Sequence, residues 1–164
     1  RINLIYCDLT YMIIKNTNLS NAVLSNSNLT GVQIYNSNLD GINLSNTIIG
    51  GSIIADSSMS ESNLENSDLT GAIMGGINLS NSNIKNADLR GIDLTGVKLD
   101  NANLSGSDIR GGDMRGASLH NADLTMTDLT GVDLSGANLQ GALLDEATLT
   151  GTVLYCLNHP ICIK

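Results

Sequence analysis

The sequence predicts an all-β solenoid, in which short extended segments wind into coils that stack on one another. Three observations predict it. A large aliphatic residue occupies every fifth position from Leu4 to Leu154 without a skip. A small residue recurs two positions before it, as at Ala22, Ser27, Ser37, Ala87 and Ala117. Glycine or asparagine recurs two positions after it, as at Gly31, Gly71, Gly131, Asn46 and Asn66. A period of five fits neither the helix nor the flat strand, so it marks an internal repeat.

Each position of the repeat has its own physics. The central residue is Leu almost throughout, with Ile or Met at places such as Ile34, Ile54, Met59, Met74 and Met114. Burying one such side chain contributes roughly 1.5–3 kcal/mol. The small residue two before it implies a second inward position with little room. The residue one before it, usually Asn or Asp (Asn28, Asp68, Asp88), faces outward. The Gly/Asn position implies a corner, because these residues tolerate positive φ. A unit this short cannot bury its apolar face alone, so successive coils must stack.

The unit small-Asx-Leu-polar-Gly/Asn resembles the pentapeptide repeat family. The match is close in SNLTG (Ser27 to Gly31), SDLTG (Ser67 to Gly71), ADLRG (Ala87 to Gly91) and ANLQG (Ala137 to Gly141). The resemblance implies a right-handed quadrilateral β-helix with four pentapeptides per coil, so that residue n lies above residue n−20. With strand-like spacing the repeats then build about eight coils and a rod of about 35 Å. Residues 1–156 are read as this solenoid. Residues 157–164 are read as a short irregular C-terminal cap, or the start of a linker, with Leu157, Pro160, Ile161 and Ile163 folded over the last coil.

Composition bounds the function. The chain has 164 residues and a net charge of −8. An acidic balance argues against direct nucleic-acid binding, which needs a basic footprint. No apolar run reaches the roughly 20 residues of a membrane-spanning helix. The chain enters the repeat directly at Arg1, so it is expected to be a piece of a longer protein. An open first coil is an exposed edge, which raises end-to-end or C-terminal self-association as a further expectation.

No catalytic set separates from the repeat. His120 occupies a regular outward position and His159 lies in the tail. Cys7 falls on an inward small position and is read as core. Pairing of Cys156 with Cys162 would need an oxidising compartment, and neither their spacing nor the odd count of three cysteines decides it; with His159 they supply too few ligands for structural zinc. No cofactor, no metal and no enzymatic activity are expected within these residues.

Twenty-residue stacking sorts the exterior. Asp68, Asp88, Asp108 and Asp128 should form one acidic column, and Asp93, Asp113 and Asp133 another on the next side. Arg90, Arg110 and Arg115 stand two residues after acids in these columns, placed to pair with them. Asn43, Asn63, Asn83 and Asn103 should bond from coil to coil as an amide ladder. The outward Asx position is apolar at Ile13, Ile53 and Ile73 on one side, with Tyr35 on that side and Ile48 across the adjoining corner. These five residues are the candidate interaction surface.

Two functions follow. The first is a rigid, non-enzymatic scaffold that binds another protein, as part of a larger bacterial protein such as a secreted effector, in the bacterial cytoplasm or in a host cell. The second comes from the resemblance alone. Some pentapeptide repeat proteins, the Qnr and MfpA group, imitate duplex DNA and occupy DNA gyrase. The absence of Phe and the balanced charge between Lys85 and Arg115 depart from that group.

Overall fold

The computed structural model describes residues 2–163. The chain winds as a square tube, and each coil takes twenty residues until the C-terminal end. Parallel bridges join Asn3 to Val23, Asp8 to Asn28, Ile13 to Gln33 and Asn18 to Asn38, one on each side, and the same four series run up the rod. Only one side is regular enough to form named strands: β1 (Ile13–Lys15), β2 (Gln33–Tyr35) and β3 (Ile53–Ala55). They pair in parallel in the order β1-β2-β3, with Ile14, Ile34 and Ile54 in register. This is the right-handed quadrilateral β-helix implied by the repeat.

Backbone hydrogen bonds account for the stacking. The N–H of a central residue donates to the next coil, as Leu24 does to the Asn43 carbonyl at 2.8 Å. The N–H of the preceding residue donates to the coil before, as Asn43 does to Ala22 at 2.9 Å. At most corners the small residue donates to the previous central carbonyl, as Ala22 does to Leu19 at 2.9 Å. Every fifth residue from Tyr6 to Gly151 has positive φ, so the corners are turns with a left-handed third residue. That requirement is why Gly and Asn recur there.

The interior is a continuous file of central side chains; Leu24, Leu44 and Leu64 are each at most 1% exposed. The second inward position holds more than small residues. Ile42, Ile77 and Ile92 are equally buried there. Neighbouring coils compensate in volume: a Cβ at Gly112 would lie 3.4 Å from Ile92 Cγ2 and 3.2 Å from Ile109 Cγ2. Most hydroxyls at this position turn back onto backbone, as Ser27 Oγ donates to the Leu4 carbonyl at 2.7 Å and Ser107 Oγ to Ile84 at 2.8 Å, while Ser52 Oγ is buried without a partner among the described residues.

The register slips at the C-terminal end. Cys156 falls on a corner position but lacks the positive φ, which passes to Asn158. Leu157 consequently pairs with Asn138, nineteen residues earlier, and its carbonyl accepts from Leu139 N–H at 3.0 Å. A Cys156–Cys162 disulfide closes the tail, and Ile163 N–H donates to the Leu154 carbonyl at 2.8 Å. Ile161 and Cys162 pack on the core, whereas Leu157, Pro160 and Ile163 are exposed. Of the apolar residues expected to cover the last coil, only Ile161 does so. Lys164 and Arg1 lie outside the described residues.

Candidate interaction surface

Among the described residues no cavity forms, and no three His, Cys, Asp or Glu side chains converge as metal ligands. The candidate sites are therefore outward faces. His120 stands half-exposed on one face, its backbone N–H donating to Asp100 Oδ1 at 3.2 Å. His159 Nδ1 accepts from Ile161 N–H within the tail. Cys7 lies in the inward file but is only half-buried, because a coil covers it from one side alone.

Both acidic columns form as the spacing predicts. Asp68, Asp88, Asp108 and Asp128 are successive bridge partners, and so are Asp93, Asp113 and Asp133. Arg90 Nη2 lies 2.6 Å from Asp88 Oδ2, Arg110 Nη2 2.5 Å from Asp108 Oδ2, and Arg115 Nη2 2.6 Å from Asp113 Oδ2. Arg90 and Arg110 also reach the next carboxylate along the column, Asp108 at 3.9 Å and Asp128 at 3.6 Å. The arginine hydrogen bonds hold Asp88, Asp108 and Asp113 below the usual carboxylate range. The columns are thus interleaved with cations.

A second device joins coils on another face. Asp40 Oδ1 accepts from Ser58 Oγ at 2.6 Å, Ser60 Oγ at 2.7 Å and Ser60 N–H at 2.9 Å. Partial burial pushes this carboxyl up, but the three bonds outweigh it and the net displacement is downward. Asp100 makes the same kind of staple with Ser118 Oγ at 2.5 Å.

The expected amide ladder is largely replaced. Only Asn83 Nδ2 reaches Asn63 Oδ1, at 3.2 Å. Asn43, Asn63, Asn83 and Asn103 each accept instead from the backbone N–H two residues on, which caps the local turn. Ladders form at the corners, where Asn66 donates to Asn46, Asn101 to Asn81, and Asn121 to Asn101. The recurrence of Asn at corners was the available signal.

The apolar residues stand where twenty-residue stacking puts them. Ile53 is the bridge partner of Ile73, and Ile48 lies on the adjoining side between Asn28 and Asp68. Ile13, Ile48 and Ile73 are 59%, 48% and 49% exposed, while Ile53 and Tyr35 are half-buried. The strip has a gap. Gln33 separates Ile13 from Ile53 and accepts from Tyr35 Oη at 3.1 Å, while Lys15 Nζ sits 5.4 Å above the Tyr35 ring. The compact patch is Ile48, Ile53 and Ile73.

The family model of pentapeptide repeats matches residues 2–41, 37–76, 57–96, 98–136 and 133–158, in eight copies. The chain belongs to the pentapeptide repeat family. Among solved structures, this pentapeptide repeat protein is similar to one from Nostoc PCC 7120 at 28% identity and a TM-score of 0.52, over 58% of this chain and 83% of that one. It is also similar to HetL of Nostoc sp. strain PCC 7120, involved in heterocyst differentiation regulation, at 25% identity and a TM-score of 0.27, over 98% and 92%. Full-length QnrB1, a plasmid-mediated fluoroquinolone resistance protein, aligns at 15% identity and a TM-score of 0.39, over 92% of each chain. No curated protein matches the sequence significantly. Those descriptions belong to the neighbours; the pentapeptide repeat protein described here shares the repeat and its fold. No helix among the described residues is long and apolar enough to cross a membrane.

Proposed function

We propose that the rod is a rigid, non-enzymatic scaffold that binds another protein through the outward isoleucines of its first half. The observation that carries this reading is the cluster of Ile48, Ile53 and Ile73, at positions that are Asn or Asp in most other repeats. An exposed apolar cluster on an otherwise polar surface marks interaction sites. Pentapeptide repeat proteins are in general non-enzymatic scaffolds, which supports the reading. The wider expectation, one module of a larger bacterial protein such as a secreted effector, belongs to the same proposal and is tested by the coding sequence on either side.

The competing proposal is a DNA mimic that occupies gyrase. The acidic columns favour it. The arginines seated on Asp88, Asp108 and Asp113 oppose it, because they cancel much of the charge a mimic must present. Two measurements decide. Ile53→Asp combined with Ile73→Asp installs the residue that Asp93, Asp113 and Asp133 already carry on that side, so melting should be nearly unchanged while partner binding is lost. A large fall in melting temperature contradicts the assignment of these residues as outward. In a gyrase supercoiling assay the scaffold predicts no inhibition, and inhibition at stoichiometric amounts overturns it.

A further inference from the structure

The residue after each central position is polar, charged or Tyr in nearly every repeat of the chain. The repeats centred on Ile49, Ile54 and Met74 are different: they carry Gly50, Ala55 and Gly75. These are the same three repeats whose outward Asx position is Ile48, Ile53 and Ile73. Two substitutions per repeat, in three repeats that meet at one corner, leave a patch both apolar and low.

Local chemistry accounts for part of this coincidence. Elsewhere the hydroxyl donates to the Asx side chain of its own repeat, as Thr30 Oγ1 does to Asn28 Oδ1 and Thr70 Oγ1 to Asp68 Oδ1, both at 2.6 Å. With isoleucine in the Asx position the hydroxyl has no acceptor, so it need not be kept. That does not select the smallest side chains. The other repeats with an apolar residue there carry Lys15, Ser25, Asp145 and Tyr155.

Backbone geometry does not require the glycines either. Gly50 and Gly75 are absent from the positive-φ residues, unlike the corner glycines Gly51 and Gly76 beside them. A Cβ at Gly50 would meet nothing closer than the Thr70 carbonyl at 3.4 Å, an ordinary contact, whereas at Gly75 it would crowd the Thr95 carbonyl at 3.2 Å, so packing accounts for that glycine in part. Glycine in an extended segment that does not need it, as at Gly50, is one mark of a place where another chain approaches closely.

The surroundings select the occupant by charge. The coils from 41 to 80 hold Asp56, Glu61, Glu65 and Asp68 and no Lys or Arg. Asp68 borders Ile48 on the next coil, and Asp93 borders Ile73. Among the described residues neither carboxylate is in an ion pair. A second copy of this chain brings the same acids and a net charge of −8, so it is repelled.

We infer that Ile48, Gly50, Ile53, Ala55, Ile73 and Gly75 form a docking pad for a cationic protein segment whose aliphatic side chains lie flat on the exposed backbone. Asp68 and Asp93 at its edge receive the partner's Lys or Arg, which sets orientation and on-rate. This rests on the scaffold reading and narrows it to a partner chemistry.

The test uses the isotope-labelled chain and three short synthetic peptides, alternating Lys/Leu, Ser/Leu and Glu/Leu. The Lys/Leu peptide should shift the amide resonances of Gly50, Gly51, Gly75 and Gly76. The Ser/Leu peptide should bind about tenfold more weakly, with the difference shrinking at high salt. The Glu/Leu peptide should leave them unmoved. A Gly50→Thr variant restores the hydroxyl residue that half of the other repeats carry. It should melt no lower than the parent chain and bind the Lys/Leu peptide about tenfold more weakly. Equal binding of the Ser/Leu and Lys/Leu peptides at the pad overturns the charge selection and leaves the scaffold standing. Shifts confined to the Asp88 and Asp108 column, a lower melting temperature of the glycine variant, or concentration-dependent shifts at the pad without peptide each overturn the pad. Failure of all three peptides to shift the pad, with partner binding unaffected by Ile53→Asp and Ile73→Asp, overturns both readings.

Discussion

Corner residues carry the strictest demand at the scale of single residues. Each needs a left-handed backbone, which costs an ordinary residue about 1–2 kcal/mol and Gly or Asn much less. Met126 occupies such a corner at φ 56° with its side chain 59% exposed. Met126→Gly should therefore raise stability by up to about 1 kcal/mol, after the larger entropy Gly loses on folding. Calorimetric melting checks this, and a lower melting temperature contradicts it. The corners were legible in the sequence because backbone strain filters residue type. Side-chain partners were less so. Ser27 bonds a carbonyl twenty-three residues away, and Asp40 bonds Ser58 and Ser60 one coil on, distances at which no local spacing rule operates. The Asn43 to Asn103 series misled for a related reason: an amide can cap its own turn as readily as reach its neighbour, and the turn is nearer.

Columns and coils are the next scale. Asp88, Asp108 and Asp113 have folded pKa values held below their unfolded ones by Arg90, Arg110 and Arg115. The unfolded chain then binds more protons in the acid range, so stability rises with pH there. This contribution is complete above the ordinary carboxylate range and is lost as pH falls through the depressed values. Replacing the three arginines with Gln should flatten the acid loss of stability between about pH 5 and pH 2. It should also lower stability near neutral pH more in dilute buffer than in high salt. Denaturant titrations across pH and salt measure both effects, and an unchanged acid slope contradicts the pairing. The pairs could be foreseen because each arginine lies two residues from its acid, on the same side. The gap made by Gln33, and the Lys15–Tyr35 contact that fills it, depended on side-chain conformations that the repeat does not specify.

At the scale of the whole molecule, one rule places every candidate residue: the chain returns to the same side after twenty residues. The rule made the fold and both acidic columns readable, because one periodic constraint acts on all of them. It failed at the end, where Cys156 abandons the corner geometry and Leu157 pairs with Asn138. Nothing periodic encodes that slip; it coincides with the disulfide from Cys156 to Cys162 in the irregular tail. The most direct test is a nuclear Overhauser spectrum of backbone protons in the labelled chain. It should show neighbours twenty apart on all four sides, Asn43 with Asn63 and Ile53 with Ile73 among them, and then Asn138 with Leu157. Long-range contacts centred on any spacing other than twenty within the rod, or Asn138 opposite Asn158, would contradict the account.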